Sequence, residues 1–97
     1  MTFEEVRELT QKSREKLVRR KVKKYSRKIN DYIKYAAKQG DVRADFCLTS
    51  ENSQVSYDAV KEVEEVFSKQ GYTIKISWKK TWGGITDGYY VRVRWFF

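Results

Sequence analysis

Between Val18 and Ala37 the apolar positions recur by fours and threes: Val18, Val22, Tyr25, Ile29, Tyr32 and Ala36, widened by Ile33 and Ala37. That spacing puts one continuous apolar band on a helix and predicts a core-facing element over 14–38. Upstream, Thr2 and Glu5 form a Thr-x-x-Glu capping box, with Glu4 and Glu5 in the first turn. Val6 and Leu9 supply a short apolar face there, which Thr10, Gln11, Lys12 and Ser13 interrupt. The pattern predicts a short helix over 3–11, a break or bend near Ser13, then the long helix. A single uninterrupted helix is the alternative, since no Pro or Gly forces the bend. In either case Gly40 ends it.

Beyond Gly40 the period changes to two. Val42, Ala44, Phe46 and Leu48 alternate with Arg43, Asp45, Cys47 and Thr49, the signature of a half-buried strand. A polar loop over 50–54 leads to a second helix capped by Ser53 or Ser56, with Ala59, Val60, Val63, Val66 and Phe67 inward and Gly71 as its stop. Tyr72, Ile74, Ile76 and Trp78 alternate with Thr73, Lys75, Ser77 and Lys79 as a second strand. Two turn signals, Gly83-Gly84 and Asp87-Gly88, precede a third strand. In it Tyr89, Val91, Val93, Trp95 and Phe97 share one face, and Tyr90, Arg92, Arg94 and Phe96 the other. Strands two and three form an antiparallel hairpin. Strand one joins them by a parallel crossover or by lying beside strand three. The expected fold is α+β, a two-layer sandwich of order α(α)βαββ with the helices on one face of a three-stranded sheet. It is read as a single domain over 1–97, a short helix or arm over 1–13 followed by an αβαββ core over 14–97.

Composition narrows the function classes. The chain has 97 residues, 40% of them hydrophobic and 15% aromatic, and is therefore a small folded domain rather than a disordered tail. No apolar run reaches the length of a membrane span, and the first residues lack a signal-peptide pattern, so a cytoplasmic location with no membrane partner is expected. The lone Cys47 cannot form an internal disulfide, and there is no histidine. That removes the commonest general base and metal ligand, leaving scattered carboxylates such as Glu62, Glu64 and Glu65 that read as a wet helix face. No enzyme activity, catalytic residue, metal or cofactor is expected.

Charge changes the picture most. The net charge of +8 lies wholly in residues 1–39, which hold 13 Lys/Arg against five Asp/Glu; the remainder of the chain holds eight of each. Residues 19–28 read RRKVKKYSRK, seven cations in ten with no acid. Unpaired cations at i and i+4 repel by roughly 0.2–0.5 kcal/mol per pair, a cost that suits either a solvated face or an anionic partner. Arg19, Arg20, Lys23, Lys24, Arg27 and Lys28 are the candidates for contacting nucleic-acid phosphates, and the apolar seam beside them directs this charge outward, away from the sheet. A second candidate surface is the outward sheet face, where Arg43, Lys75, Lys79, Arg92 and Arg94 interleave with Tyr90 and Phe96, as stacking on single strands requires. The ordinary polar face of an antiparallel sheet is the competing reading. The 3–11 helix is also free to fold across that face and hide it. Trp82 is the candidate interface anchor, against the alternative that it caps the sheet with Ile85. The exposed aromatic end makes a homo-oligomer a further expectation.

Four segments carry a resemblance: TFEEVRELT at the start, IKYAAKQG ending the long helix, VFSKQGYTI turning helix into strand, and the closing VRVRW. Together they resemble a group of small phage-encoded proteins with an EEAREL-like first helix, an Ile-x-x-Ala-Ala-x-x-Gly helix end, a Gly-Tyr/Phe turn and a terminal strand ending in Trp. The chain differs from them in its denser cationic run and its Phe96-Phe97 ending. The resemblance implies a viral accessory protein. It brings in host proteins, anionic nucleotides and virion components as alternative partners, and it carries over no site residues.

Overall fold

The computed structural model of the chain describes residues 1–80 and 87–96. Two helices pack on one face of a three-stranded antiparallel sheet in the order α1 (Phe3–Lys38), β1 (Arg43–Thr49), α2 (Gln54–Lys69), β2 (Thr73–Lys79), β3 (Gly88–Arg94). The α+β sandwich is thus as expected, with one change at its start. Helix α1 is a single continuous helix of 36 residues with no break at Ser13. Thr2 caps it through the Glu5 N–H at 3.2 Å. The polar stretch that suggested an interruption is accommodated within the helix: the Thr10 hydroxyl donates back to the Val6 carbonyl, and the Gln11 amide donates to Glu15, one turn on. Polar side chains there remove a buried face without breaking the helix.

Both helices stop in the same way. Each ends on Lys-Gln-Gly, and Gly40 and Gly71 take φ of +83° and +104°, conformations that a side chain resists. The Asp41 N–H reaches the Ala36 carbonyl and the Gly40 N–H that of Ala37; Tyr72 and Gly71 repeat the pattern on Phe67 and Ser68. These are two Schellman ends, and the second is braced by the Phe67 and Tyr72 rings, 5.6 Å apart. At the other end of α2 the cap is Ser53, whose Oγ accepts from the Ser56 N–H. Ser56 itself is fully buried.

The strand order is β1-β3-β2, so strand one lies beside strand three and no parallel pair forms. Val93, Val91 and Tyr89 of the central strand, with Ala44, Phe46 and Leu48 from β1 and Ile74, Ile76 and Trp78 from β2, form the inner face. Tyr25, Ile29 and Ile33 of α1 and Ala59, Val60, Val63 and Phe67 of α2 close the core over it. At roughly 1.5–3 kcal/mol per buried side chain, this cluster provides the driving force for the fold. Three residues expected inside are not: Val42 precedes β1, Val66 lies on the shoulder of α2, and Ala37 is exposed. Tyr32 is half outside as well, yet its ring stacks on Phe46 at 4.0 Å.

Both outer strands have a helix side chain on their backbone. The Glu64 carboxylate accepts from the Ile76 N–H of β2 at 2.8 Å, and the Lys28 ammonium donates to the Leu48 carbonyl of β1 at 2.9 Å. Leu48 sits at the register shift of β1. Occupied backbone groups and a local irregularity are means by which edge strands avoid pairing with other chains.

Candidate nucleic-acid interface

Every residue from 1 to 17 is exposed, and Val18 is the first to be half-buried. The first part of α1 therefore runs on past the sandwich and leaves the sheet uncovered, unlike the arrangement in which it folds back. At about 1.5 Å per residue α1 is about 54 Å long, which sets the 56 Å length of the molecule.

The unbroken rod brings Lys12 into line with the cations of the 14–38 stretch. At 3.6 residues per turn, Lys12, Lys16, Arg19, Arg20, Lys23, Arg27, Lys34 and Lys38 fall on one side of α1, roughly opposite Val22, Tyr25 and Ile29. All eight are exposed. The row extends about 39 Å from Lys12 to Lys38. Among the described residues none of the eight takes part in a salt bridge; Glu62 of α2 lines a groove with Lys16, Arg19, Arg20 and Lys23, and the exposed Asp31 falls on the edge of the row between Arg27 and Lys34. Four of these cations, Lys12, Lys16, Lys34 and Lys38, lie outside the dense run. The signal for them was the fourfold spacing of Lys12-Lys16-Arg20 and of Lys34-Lys38; only Lys12 also needs the helix to be unbroken.

The run itself divides. Arg19, Arg20, Lys23 and Arg27 belong to the row. Lys28 does not face outward: its ammonium is on Leu48 of the sheet, a correction that follows from its position on the flank nearest β1. Lys21, on the same flank, pairs with Glu51 and lies over the Tyr25 ring. Glu51 also accepts from the Ser56 hydroxyl at 2.8 Å, and Ser56 is 3.2 Å from the Tyr25 hydroxyl and 3.1 Å from that of Ser53. Lys24 faces this cluster and adds to the positive field on Glu51. The hydrogen bond from Lys21, then that from Ser56, holds the Glu51 carboxyl below its ordinary range, and the same contact raises Lys21. These cations serve the β1–α2 connection. They were indistinguishable from the others by sequence because only the fold brings Glu51 and Leu48 beside them.

The opposite side of the molecule carries the other candidate. The register sets Cys47, Tyr90 and Ser77 abreast, then Asp45, Arg92 and Lys75, then Arg43, Arg94 and Thr73. A cleft of about 360 Å³ opens there, walled by Asp45, Lys75, Ser77, Lys79, Tyr90 and Arg92 with Phe46 and Val91 at its base. The Lys79 ammonium stands 5.7 Å from the centre of the Tyr90 ring. Arg92 donates through Nε to Asp45 at 2.9 Å. Of the expected sheet residues, Lys75, Lys79, Tyr90 and Arg92 thus come together. Arg94 lies one row farther on, and Phe96 is exposed past the end of β3, so neither reaches the cleft. Trp82, with Gly83, Gly84 and Ile85, lies outside the described residues, as does Phe97.

Among the described residues there is no group of three or more His, Cys, Asp or Glu side chains placed to hold a metal ion. Nor is any helix long and apolar enough to cross a membrane. A scan against protein-family models finds no match, and searches of curated proteins and of solved structures find none either.

Proposed function

We propose that the protein is a non-enzymatic binding module that engages the phosphate backbone of nucleic acid through the cationic row of α1. The observation that carries this reading is the row itself: eight exposed cations aligned over about 39 Å on the side of the helix turned away from the core. Such a row can neutralise successive phosphates, releases their counterions, and carries no sequence information. Its cost also favours a ligand, since from Lys16 to Arg27 like charges at one-turn spacing repel with no acid among them on that side of the helix.

Fluorescence anisotropy with labelled duplex DNA and RNA at two salt concentrations tests the reading. Binding is expected at low salt and falls steeply as salt rises. The triple change Arg19→Gln, Lys23→Gln and Arg27→Gln is expected to weaken it and to lower the salt slope by about one for each cation that no longer meets a phosphate. Lys61→Gln, on α2 and off the row, serves as the control and leaves both unchanged. No binding at low salt, or a triple variant that binds like the parent, overturns the proposal.

A further inference from the structure

We propose that the cleft on the outer face of the sheet is a second site, distinct from the helix row, which takes an unpaired nucleotide unit. Its base lies against Tyr90 and its phosphate against Lys75 and Arg92.

The register supplies the geometry. Tyr90 is on the central strand, and its neighbours across the sheet, Cys47 and Ser77, are both small. Among the described residues, the cross-strand positions beside Tyr90 thus leave room in the cleft for a flat ring. Along the strand, the next outward row is two residues away, about 6.6 Å. That spacing admits one planar ring with a van der Waals contact on each side. The row on the far side is Asp45, Arg92 and Lys75. Lys79 approaches Tyr90 from the other direction, where its strand partner is Gly88 at the start of β3. A base entering from the Arg92 side is thus enclosed by an aromatic ring and a guanidinium, both of which stack on any base.

Charge selects the remainder of the ligand. The cleft walls carry Lys75, Lys79 and Arg92 against the single carboxylate of Asp45. Asp45 is engaged by Arg92 Nε, which fixes the guanidinium while its terminal N–H groups remain as further donors. A neutral aromatic would gain the stack but leave the cations unused, and inorganic phosphate the reverse. A nucleotide uses both. The base must be out of a duplex to reach Tyr90, because a paired base is already stacked on its neighbours. This separates the ligand class from that of the helix row, which needs phosphates alone. Free nucleotides and single strands share the chemistry, and the experiment distinguishes them.

The test uses the full chain. NMR titration with a 5′-mononucleotide, the matching nucleoside and inorganic phosphate reads the free ligand; anisotropy with a labelled oligothymidine reads the single strand. Resonances of Tyr90, Arg92 and Lys75 are expected to shift with a nucleotide or with the oligonucleotide, and far less with nucleoside or phosphate alone. Shifts with the mononucleotide mark a nucleotide-binding site, and shifts with the oligonucleotide only mark a strand-binding site. Tyr90→Ala is expected to weaken binding at least fivefold, with Tyr90→Phe close to the parent. Should Tyr90→Ala fail to fold, Ser77→Glu places a carboxylate in the cleft and is expected to abolish binding. The α1 triple variant should keep its response to the mononucleotide, so this site and the helix row succeed or fail separately. Unchanged affinity in Tyr90→Ala, or in a folded Ser77→Glu, overturns the proposal, as do shifts confined to α1.

Discussion

Helix α1 contains two regions that obey different rules. From Val18 onward it is held by the core: Tyr25, Ile29, Ile33 and Ala36 are buried, and Lys21 and Lys28 are fastened to the loop after β1 and to β1 itself. From Phe3 to Leu17 every residue is exposed, and Val6, Leu9 and Leu17 lie on a flank turned well away from Ile29. The first region is helical because its apolar face has somewhere to go. The second is helical because it continues a rod that the first has already nucleated, behind a capped N-terminus. Their outward charges nevertheless form one row, since a helix keeps its phase whether or not its inner side is covered.

The comparison breaks most visibly at Ile29. Ile29→Ala is expected to cost about 2–5 kcal/mol in denaturant unfolding, through lost burial and the cavity left behind. A cost below about 1 kcal/mol would mean that α1 is not anchored there. Ser56→Ala should follow at about 1–3 kcal/mol, because it removes the buried hydroxyl that meets Tyr25, Ser53 and Glu51 and leaves their polar groups short of a partner. A change within experimental error would show the cluster to be incidental.

A smaller effect is expected with pH. Glu51 is shifted below its ordinary value of 4.5, so its contribution to stability is present above that value and is lost as pH falls through the lowered one. Lys21 is shifted above 10.5, so its contribution is present below that value and is lost as pH rises through the raised one. Both groups are partly exposed, and water screens the pair. Glu51→Gln should therefore flatten the acid side of the stability profile, measured by denaturant midpoints across pH. An unchanged acid limb would assign it to other carboxylates.

The smallest effect belongs to the arm. Leu9→Ala is expected to move global stability by no more than about 0.5 kcal/mol. Amides over 6–17 should exchange with solvent far faster than those over 25–36, since they open without the core. Slow exchange in the arm, or a large cost for Leu9→Ala, would mean that a second molecule covers it.

Much of the fold was legible because it is written in short-range signals. The threefold and fourfold spacing from Val18 to Ala36, the Thr2 and Ser53 caps, the glycines after Lys-Gln and the alternation around Phe46, Ile76 and Val91 each act within a few residues of where they stand. The stretch around Ser13 misleads, because loss of an apolar face looks like loss of a helix in sequence, although backbone hydrogen bonds do not require that face. Lys28 misleads for the converse reason. Whether a lysine ends in water or on a backbone carbonyl depends on a strand twenty residues away, and no local pattern records it. The sheet residues fared unevenly on the same principle: alternation gave the outward side of Lys75, Tyr90, Arg92, Arg94 and Phe96, but only the register shows which of them share a cleft.

What the sequence determined alone, then, is the set of elements, their inner faces, their ends and a strong positive charge in the first forty residues, all consequences of periodicity and capping chemistry. The tertiary structure decided the order β1-β3-β2, the path of α1 away from the outer sheet face, the division of the cationic run into an outward row and a part bound to the β1–α2 connection, and the meeting of Tyr90, Lys75, Lys79 and Arg92 in one cleft. Each of these depends on where residues far apart in the chain come to rest, and that is set by the joint burial of two helices and three strands rather than by any one of them.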